Sequence, residues 1–242
     1  MKTTVLILCG PGTNCMYETA NALTLVGLES RIVQVSELLD SQVKMTDCRA
    51  LIIPGGFSYG DHFGSGRIFA LNLLQLQDQL QKLVETMTPI MGICNGFQAL
   101  VETGLLPDRT IGVREAALIR NKSATFESRS VELLVMDTDS IWTQGLEGRI
   151  LRMPVAHGEG RLFWENDDHI HPVVRYALNG VPTEEYPACP SGSPGGIAGI
   201  RDSTGLIFGL MPHPERACRK GIHPSIDGLK IFENLARHLG ES

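Results

Sequence analysis

The 242-residue chain contains no run of five or more Lys or Arg, and its 21 basic against 27 acidic residues leave a formal net charge of −6. A dense phosphate backbone finds no matching surface in such a sequence, so general nucleic-acid binding is excluded. The six cysteines, Cys9, Cys15, Cys48, Cys94, Cys189 and Cys218, are spaced by 6, 33, 46, 95 and 29 residues and form no C-x-x-C or zinc-ribbon pattern. They read as free thiols of a reducing compartment, and neither a disulfide framework nor a metal site is expected. The apolar run after Met1-Lys2 covers only residues 5–9 before Gly10-Pro11-Gly12 stops it. That is too short for an export signal or a membrane span, so a first strand in a cytoplasmic protein is expected, with no membrane contact. A G-x-x-x-x-G-K-[S/T] loop is also missing, and Gly10-Pro11-Gly12-Thr13-Asn14 lacks the Lys-Ser/Thr of one, so no nucleotide is assigned to this chain.

With 43% hydrophobic and 20% charged residues, the composition is that of an ordinary globular protein, and one domain over 1–242 is expected. Strand-length apolar runs occupy 5–9, 31–35, 50–54 and 90–94, each separated by room for a helix, which predicts βαβ units and a parallel sheet. Phe69, Leu73, Leu76, Leu80, Leu83 and Met87 recur at alternating steps of four and three, the stripe of one amphipathic helix. Shorter helices are predicted over 16–25 and 95–102, closed by Gly27 and Gly104. Beyond Gly112 the runs 131–136, 150–155, 197–200 and 206–211 read as further strands, with a hairpin turn at Asp202-Ser203-Thr204-Gly205 between the last two. Ser225 is the expected cap of a final helix carrying Ile226, Leu229, Phe232 and Ala236, and 179–196 reads as a surface excursion.

Gly92-Ile93-Cys94-Asn95-Gly96 closes an apolar run and opens a predicted helix. This is the form of a nucleophile elbow with cysteine in place of serine, the flanking glycines allowing a tight turn close to a helix. The helix N-terminus is expected to favour the Cys94 thiolate, and the N–H of Asn95 to serve as one oxyanion donor. Met211-Pro212-His213-Pro214-Glu215-Arg216 follows another apolar run. In an extended segment His213 and Glu215 share a face, so the carboxylate can orient the ring. Pro54-Gly55-Gly56-Phe57-Ser58-Tyr59-Gly60-Asp61 brings a pliable backbone after the third run, with an N–H of Gly56 or Phe57 as the second oxyanion donor.

Five motifs in one order, PGTNC at 11–15, PGGFSYGD at 54–61, GICNGFQ at 92–98, AHGEG at 156–160 and GLMPHPER at 209–216, resemble the class I glutamine amidotransferase family. The resemblance extends over about 5–239 and narrows to glutaminase subunits that serve a purine-biosynthetic synthetase. It implies a Rossmann-like (flavodoxin-like) three-layer α/β sandwich with a mostly parallel central sheet, and a catalytic triad of Cys94, His213 and Glu215. It also implies glutamine as substrate, hydrolysed to glutamate, with the ammonia handed to a large synthetase subunit, with or without a small accessory one. ATP and Mg are expected on that partner, and no cofactor on this chain. Gln98, Phe126 and Arg129 match family positions where glutamine contacts are expected, and His157 and Glu159 are candidates for supporting roles. The chain departs from the family at Asp61-His62-Phe63-Gly64-Ser65-Gly66, usually Asp-Tyr-Leu-Arg-Ala-Gly, and at Cys189-Pro190-Ser191-Gly192-Ser193, usually Asn-Pro-Asn-Gly-Ser. The competing readings are a non-purine cysteine hydrolase and a thiol sensor; an α/β-hydrolase places its acid before the His, whereas Glu215 follows His213.

Overall fold

Val5, Ile7, Leu8, Ile52, Ile90 and Ile93 are all fully buried, as strands covered by helices on both faces require. The computed structural model describes residues 3–136, 139–165 and 167–240. Its parallel core joins β1 (Thr3–Cys9), β2 (Ser30–Gln34), β3 (Cys48–Ile53), β4 (Ile90–Ile93) and β12 (Ile207–Leu210) in the order β2-β1-β3-β4-β12. The sheet then continues antiparallel through β11 (Ile197–Arg201), β9 (His171–Leu178), β6 (Glu127–Val135) and β7 (Ile150–His157), with the short β10 (Val181–Pro182) on β9. β5 (Ala116–Ile119) and β8 (Arg161–Trp164) form a separate antiparallel pair. The expected α/β fold is therefore present as a mixed sheet with a parallel core, and antiparallel strands supply the other half.

The helices are α1 (Met16–Leu25), α2 (Val35–Leu39), α3 (Arg67–Leu74), α4 (Gln77–Glu85), α5 (Asn95–Thr103) and α6 (Leu229–His238). The single helix predicted from the Phe69 to Met87 stripe is two. α3 turns Phe69 and Leu73 inward beside α5, while α4 buries Leu80 and Leu83 near Met45, whose N–H donates to Gln79 Oε1 at 2.7 Å. One unbroken rod cannot follow both neighbours, so the chain bends at Gln75 and Leu76, each stripe keeping its own helical period. Ser225 does not cap α6, which begins after Gly228; its hydroxyl accepts from the Asp227 N–H at 2.9 Å in a local turn that also holds Ile226 outside the helix. The hairpin turn is present, Gly205 N–H donating to the Asp202 carbonyl at 3.2 Å. The 179–196 segment is more than a surface excursion: Cys189, Ser191 and Ser193 are buried, and Ser193 Oγ accepts from the Leu162 N–H at 3.0 Å.

Two consequences of this topology assemble the site. β4 and β12 pair in register, Ile93 opposite Leu210, so Cys94 and the segment carrying His213 leave adjacent strands at the same end of the sheet. The loops after β1 and β3 leave the parallel core at that end too, where open α/β sheets place their ligand crevices. The antiparallel half then curls back. β7 lies last in the sheet order, yet its Pro154 carbonyl accepts from His213 N–H at 2.8 Å and its Ala156 carbonyl lies 3.6 Å from Cys94 Sγ.

Candidate active site

Cys94 has φ 51° and ψ −104°, a left-handed conformation that a non-glycine residue holds only under constraint, as in a nucleophile elbow. The constraint is visible on both sides of it. A Cβ on Gly92 would lie 2.6 Å from the Gly96 carbonyl oxygen, and one on Gly96 would overlap the Ile53 carbonyl, so the elbow packs against β3 only with glycines flanking it. Cys94 N–H is tied to the Leu210 carbonyl at 2.8 Å, and the thiol is buried. Burial pushes the Cys94 thiol well up from its usual range, Cys15 and Glu215 adding to the rise, while Arg216 and the Asn95 N–H oppose it. The expected lowering by the helix N-terminus is thus outweighed: desolvation of the anion exceeds what one peptide dipole returns, and Cys94 rests as a thiol.

His213 and Glu215 are both buried, and His213 Nδ1 lies 2.6 Å from Glu215 Oε1. A carboxylate only accepts, so Nδ1 carries the proton and Nε2 the lone pair. Nε2 is buried and has no hydrogen-bond partner among the described residues. Gly55 explains how the ring fits: a Cβ there would stand 2.6 Å from His213 Cε1.

Around the elbow, Asn95 acts as a brace. Its side-chain oxygen accepts from Ser58 N–H at 3.1 Å, and its amide donates to Asp61 Oδ1 at 3.0 Å and Gln98 Oε1 at 2.9 Å. The Asn95 N–H, at the start of α5, is the one already felt by the Cys94 thiol. Of the two expected donors after β3, Phe57 N–H is engaged, donating to the Gly12 carbonyl at 3.0 Å. Gly56 is placed opposite Thr13, and none of the described backbone hydrogen bonds uses its N–H.

The expected glutamine contacts are placed differently from one another. Gln98 is buried and its second amide end donates to the Glu159 carbonyl at 2.5 Å, so here it supports Asn95 and the AHGEG segment. Phe126 is half exposed and stacks on Phe57, ring centroids 6.0 Å apart. Arg129 is bound to Glu127 and to the Tyr186 hydroxyl at 2.9 Å, with its guanidinium 4.8 Å from that ring's centroid. Glu159 Oε2 accepts from Ser65 N–H at 3.0 Å, anchoring the segment where the chain departs from its family. His157 is buried, with Nδ1 3.0 Å from Asn121 Oδ1. Burial, reinforced by His213, holds its pKa down to about 4.

A family model described as the CobB/CobQ-like glutamine amidotransferase domain matches residues 2–238. The chain belongs to that family. Within it, the chain is 41% identical to the phosphoribosylformylglycinamidine synthase subunit PurQ of Dehalococcoides mccartyi, over 98% of this chain and 97% of that one. It is 40% identical to the PurQ subunit of Methanococcus maripaludis, over 88% of this chain and 82% of that one. Among solved structures, that of PurLQS from Thermotoga maritima superposes with a TM-score of 0.82 at 34% identity, over 99% of this chain and 100% of that chain. Such a likeness is that of a whole amidotransferase domain, its antiparallel half included.

Sequence reasoning had no role for Cys15 or Arg216. Cys15 Sγ lies 3.9 Å from His213 Nδ1, and Arg216 Nη2 lies 3.0 Å from that sulfur. Both stand inside the motifs at 11–15 and 209–216, which was the available signal; their meeting across 201 positions was not.

Proposed function

We propose that this chain hydrolyses glutamine with Cys94, His213 and Glu215 and supplies the ammonia to a synthetase subunit that converts formylglycinamide ribonucleotide to formylglycinamidine ribonucleotide. The observation that carries the reading is the tautomer: Glu215 on Nδ1 leaves the His213 Nε2 lone pair as the proton acceptor for a thiol that burial keeps protonated. As Cys94 Sγ attacks the side-chain amide carbon of glutamine, His213 takes the thiol proton. The N–H groups of Asn95 and Gly56 hold the oxyanion of the tetrahedral intermediate. His213 returns the proton to the departing nitrogen, the C–N bond breaks, and ammonia leaves a thioester on Cys94. Water then adds to the thioester carbon with His213 again as base; glutamate is released and the thiol re-forms.

The titles of the relatives support the synthetase assignment, and a PurLQS assembly supports a large synthetase partner together with a small third subunit. ATP and Mg belong to that partner in this reading. The triad itself calls on no metal or organic cofactor. The deciding experiment is Cys94→Ala in the reconstituted complex: glutamine-dependent product formation is abolished, and formation from added ammonia continues. Retained glutamine-dependent synthesis overturns the assignment.

A further inference from the structure

Behind the His213–Glu215 pair lies an arrangement that the hydrolytic steps do not use. Cys15 precedes α1, its N–H donating to the Gly55 carbonyl at 3.2 Å. One ligand atom each from Cys15, His213 and Glu215 lies within 4.8 Å of the others, a spacing suited to a cation. The cation beside them is the guanidinium of Arg216, with Nη2 3.0 Å from Cys15 Sγ and Nε 3.9 Å from Glu215 Oε1. Burial, then Glu215, raises the Cys15 thiol to about 12 despite Arg216, so it stays neutral; its S–H donates to Asn14 Oδ1 at 3.2 Å and its sulfur accepts from Arg216.

Glu215 stands to gain from that cation. Its side chain is fully buried, and Oε2 has no hydrogen-bond partner among the described residues. A buried carboxylate without a nearby positive charge takes up a proton, and the carboxylic acid would then donate to His213 Nδ1. That reversal puts the ring proton on Nε2 and removes the base. We propose that Arg216, braced by Cys15, is the positioning residue that keeps Glu215 an anion and thereby keeps the His213 Nε2 lone pair free for Cys94. The inference rests on the reading of Cys94, His213 and Glu215 as the glutaminase triad.

The ionisable groups packed around the pair are Cys15 at α1, Cys94 at α5, His157 on β7 and Arg216 on their own segment. Both thiols and His157 are held neutral by burial, which leaves Arg216 as the charge that sets when the pair takes up a proton. Glu18, Arg219 and His223 lie farther out, lining with Arg216 a cavity of about 660 Å³. Arg216 is one-third exposed there, so it can be replaced without opening the core.

The test is the pH profile of glutamine-dependent kcat/KM in the complex with the synthetase, with ammonia-dependent synthesis measured at each pH. In Arg216→Gln the acid limb moves up by about one pH unit or more, since a facing charge at this range displaces titrations by one to three units. Activity near neutrality then falls by roughly tenfold and recovers at alkaline pH, with KM for glutamine little changed. Arg216→Lys restores part of the shift, and Cys15→Ala produces a smaller shift in the same direction as Arg216→Gln. A loss in Arg216→Gln that is equal at every pH, or no change, overturns the proposal. If Arg216→Gln does not fold, the Arg216→Lys and Cys15→Ala profiles decide by the same criterion. Failure of the underlying triad shows separately, as glutamine-dependent turnover surviving Cys94→Ala.

Discussion

His213 Nδ1 and Glu215 Oε1 stand 2.6 Å apart with both side chains buried, and this contact decides which ring nitrogen carries the lone pair. Two residues apart in sequence, they are held side by side by the extended backbone at His213 and the Pro214–Arg216 turn that follows.

His213→Ala removes proton transfer in both half-reactions, and glutaminase kcat is expected to fall by ~10²–10⁴. Glu215→Gln leaves an imidazole in place and is expected to cost less, with a steeper dependence on pH. Steady-state assays of both variants check the ranking; a larger loss for Glu215→Gln gives the carboxylate a role beyond orientation.

An electrophilic glutamine analogue is expected to label Cys94 ahead of the five other cysteines. All six are free and buried, so reactivity is set by the elbow and its base instead of exposure. Peptide mapping by mass spectrometry reads the outcome, and first labelling of Cys15 would transfer the nucleophile's role to it.

Gly55→Ala places a Cβ 2.6 Å from His213 Cε1, closer than real contacts allow. The ring has to move, and a displacement of about 1 Å can lower turnover by roughly 10²-fold. Thermal unfolding is expected to change far less than kcat, because the clash falls on a side chain at the end of the sheet. A fall in Tm with kcat intact would refute this.

Because Phe57 N–H is spent on the Gly12 carbonyl, turnover in the isolated chain is expected to rest on Gly56 and Asn95 alone. Tyr59, Asp61 and Phe63 all have positive φ, so the segment holds backbone conformations that a partner can relax. Glutaminase kcat/KM is expected to rise when the synthetase, loaded with its substrates, is added. An equal value in every condition means a preassembled site.

His157 takes its proton at about 4 when folded, against a reference of 6.5. The unfolded chain binds the extra proton between those values, so the contribution is intact above about 6.5 and is lost as pH falls toward 4. The loss approaches ~3 kcal/mol at the acid end. His157→Gln is expected to flatten the slope of denaturant-measured stability across that window; an unchanged slope shows that other groups govern it.

The parallel core was legible because its strands are buried on both faces and therefore read as unbroken apolar runs at 5–9, 50–54 and 90–94. β5 and β8 are short, and β9 carries His171 and Arg175 among its apolar residues, so the local pattern was too weak to show them. The break between α3 and α4 was hidden for a different reason: periodicity records which residues face inward, and two helices with different neighbours can share one periodicity.

What the sequence determined by itself was local chemistry. An elbow cysteine between glycines, a His and Glu on one face of an extended turn, and a glycine-rich loop each follow from residue type and spacing over a few positions. Only the tertiary structure decided what those pieces meet. The pairing of β4 with β12 puts Cys94 and His213 at one end of the sheet, and the return of β7 sets the Pro154 and Ala156 carbonyls against them. It also brings Arg216 to Cys15 and assigns the Phe57 N–H to Gly12. Those contacts depend on strand order, sheet curvature and burial, which arise from packing over the whole chain. For the same reason Cys94 is a thiol at rest: a helix N-terminus acts within one turn, whereas desolvation is exacted by everything folded around it.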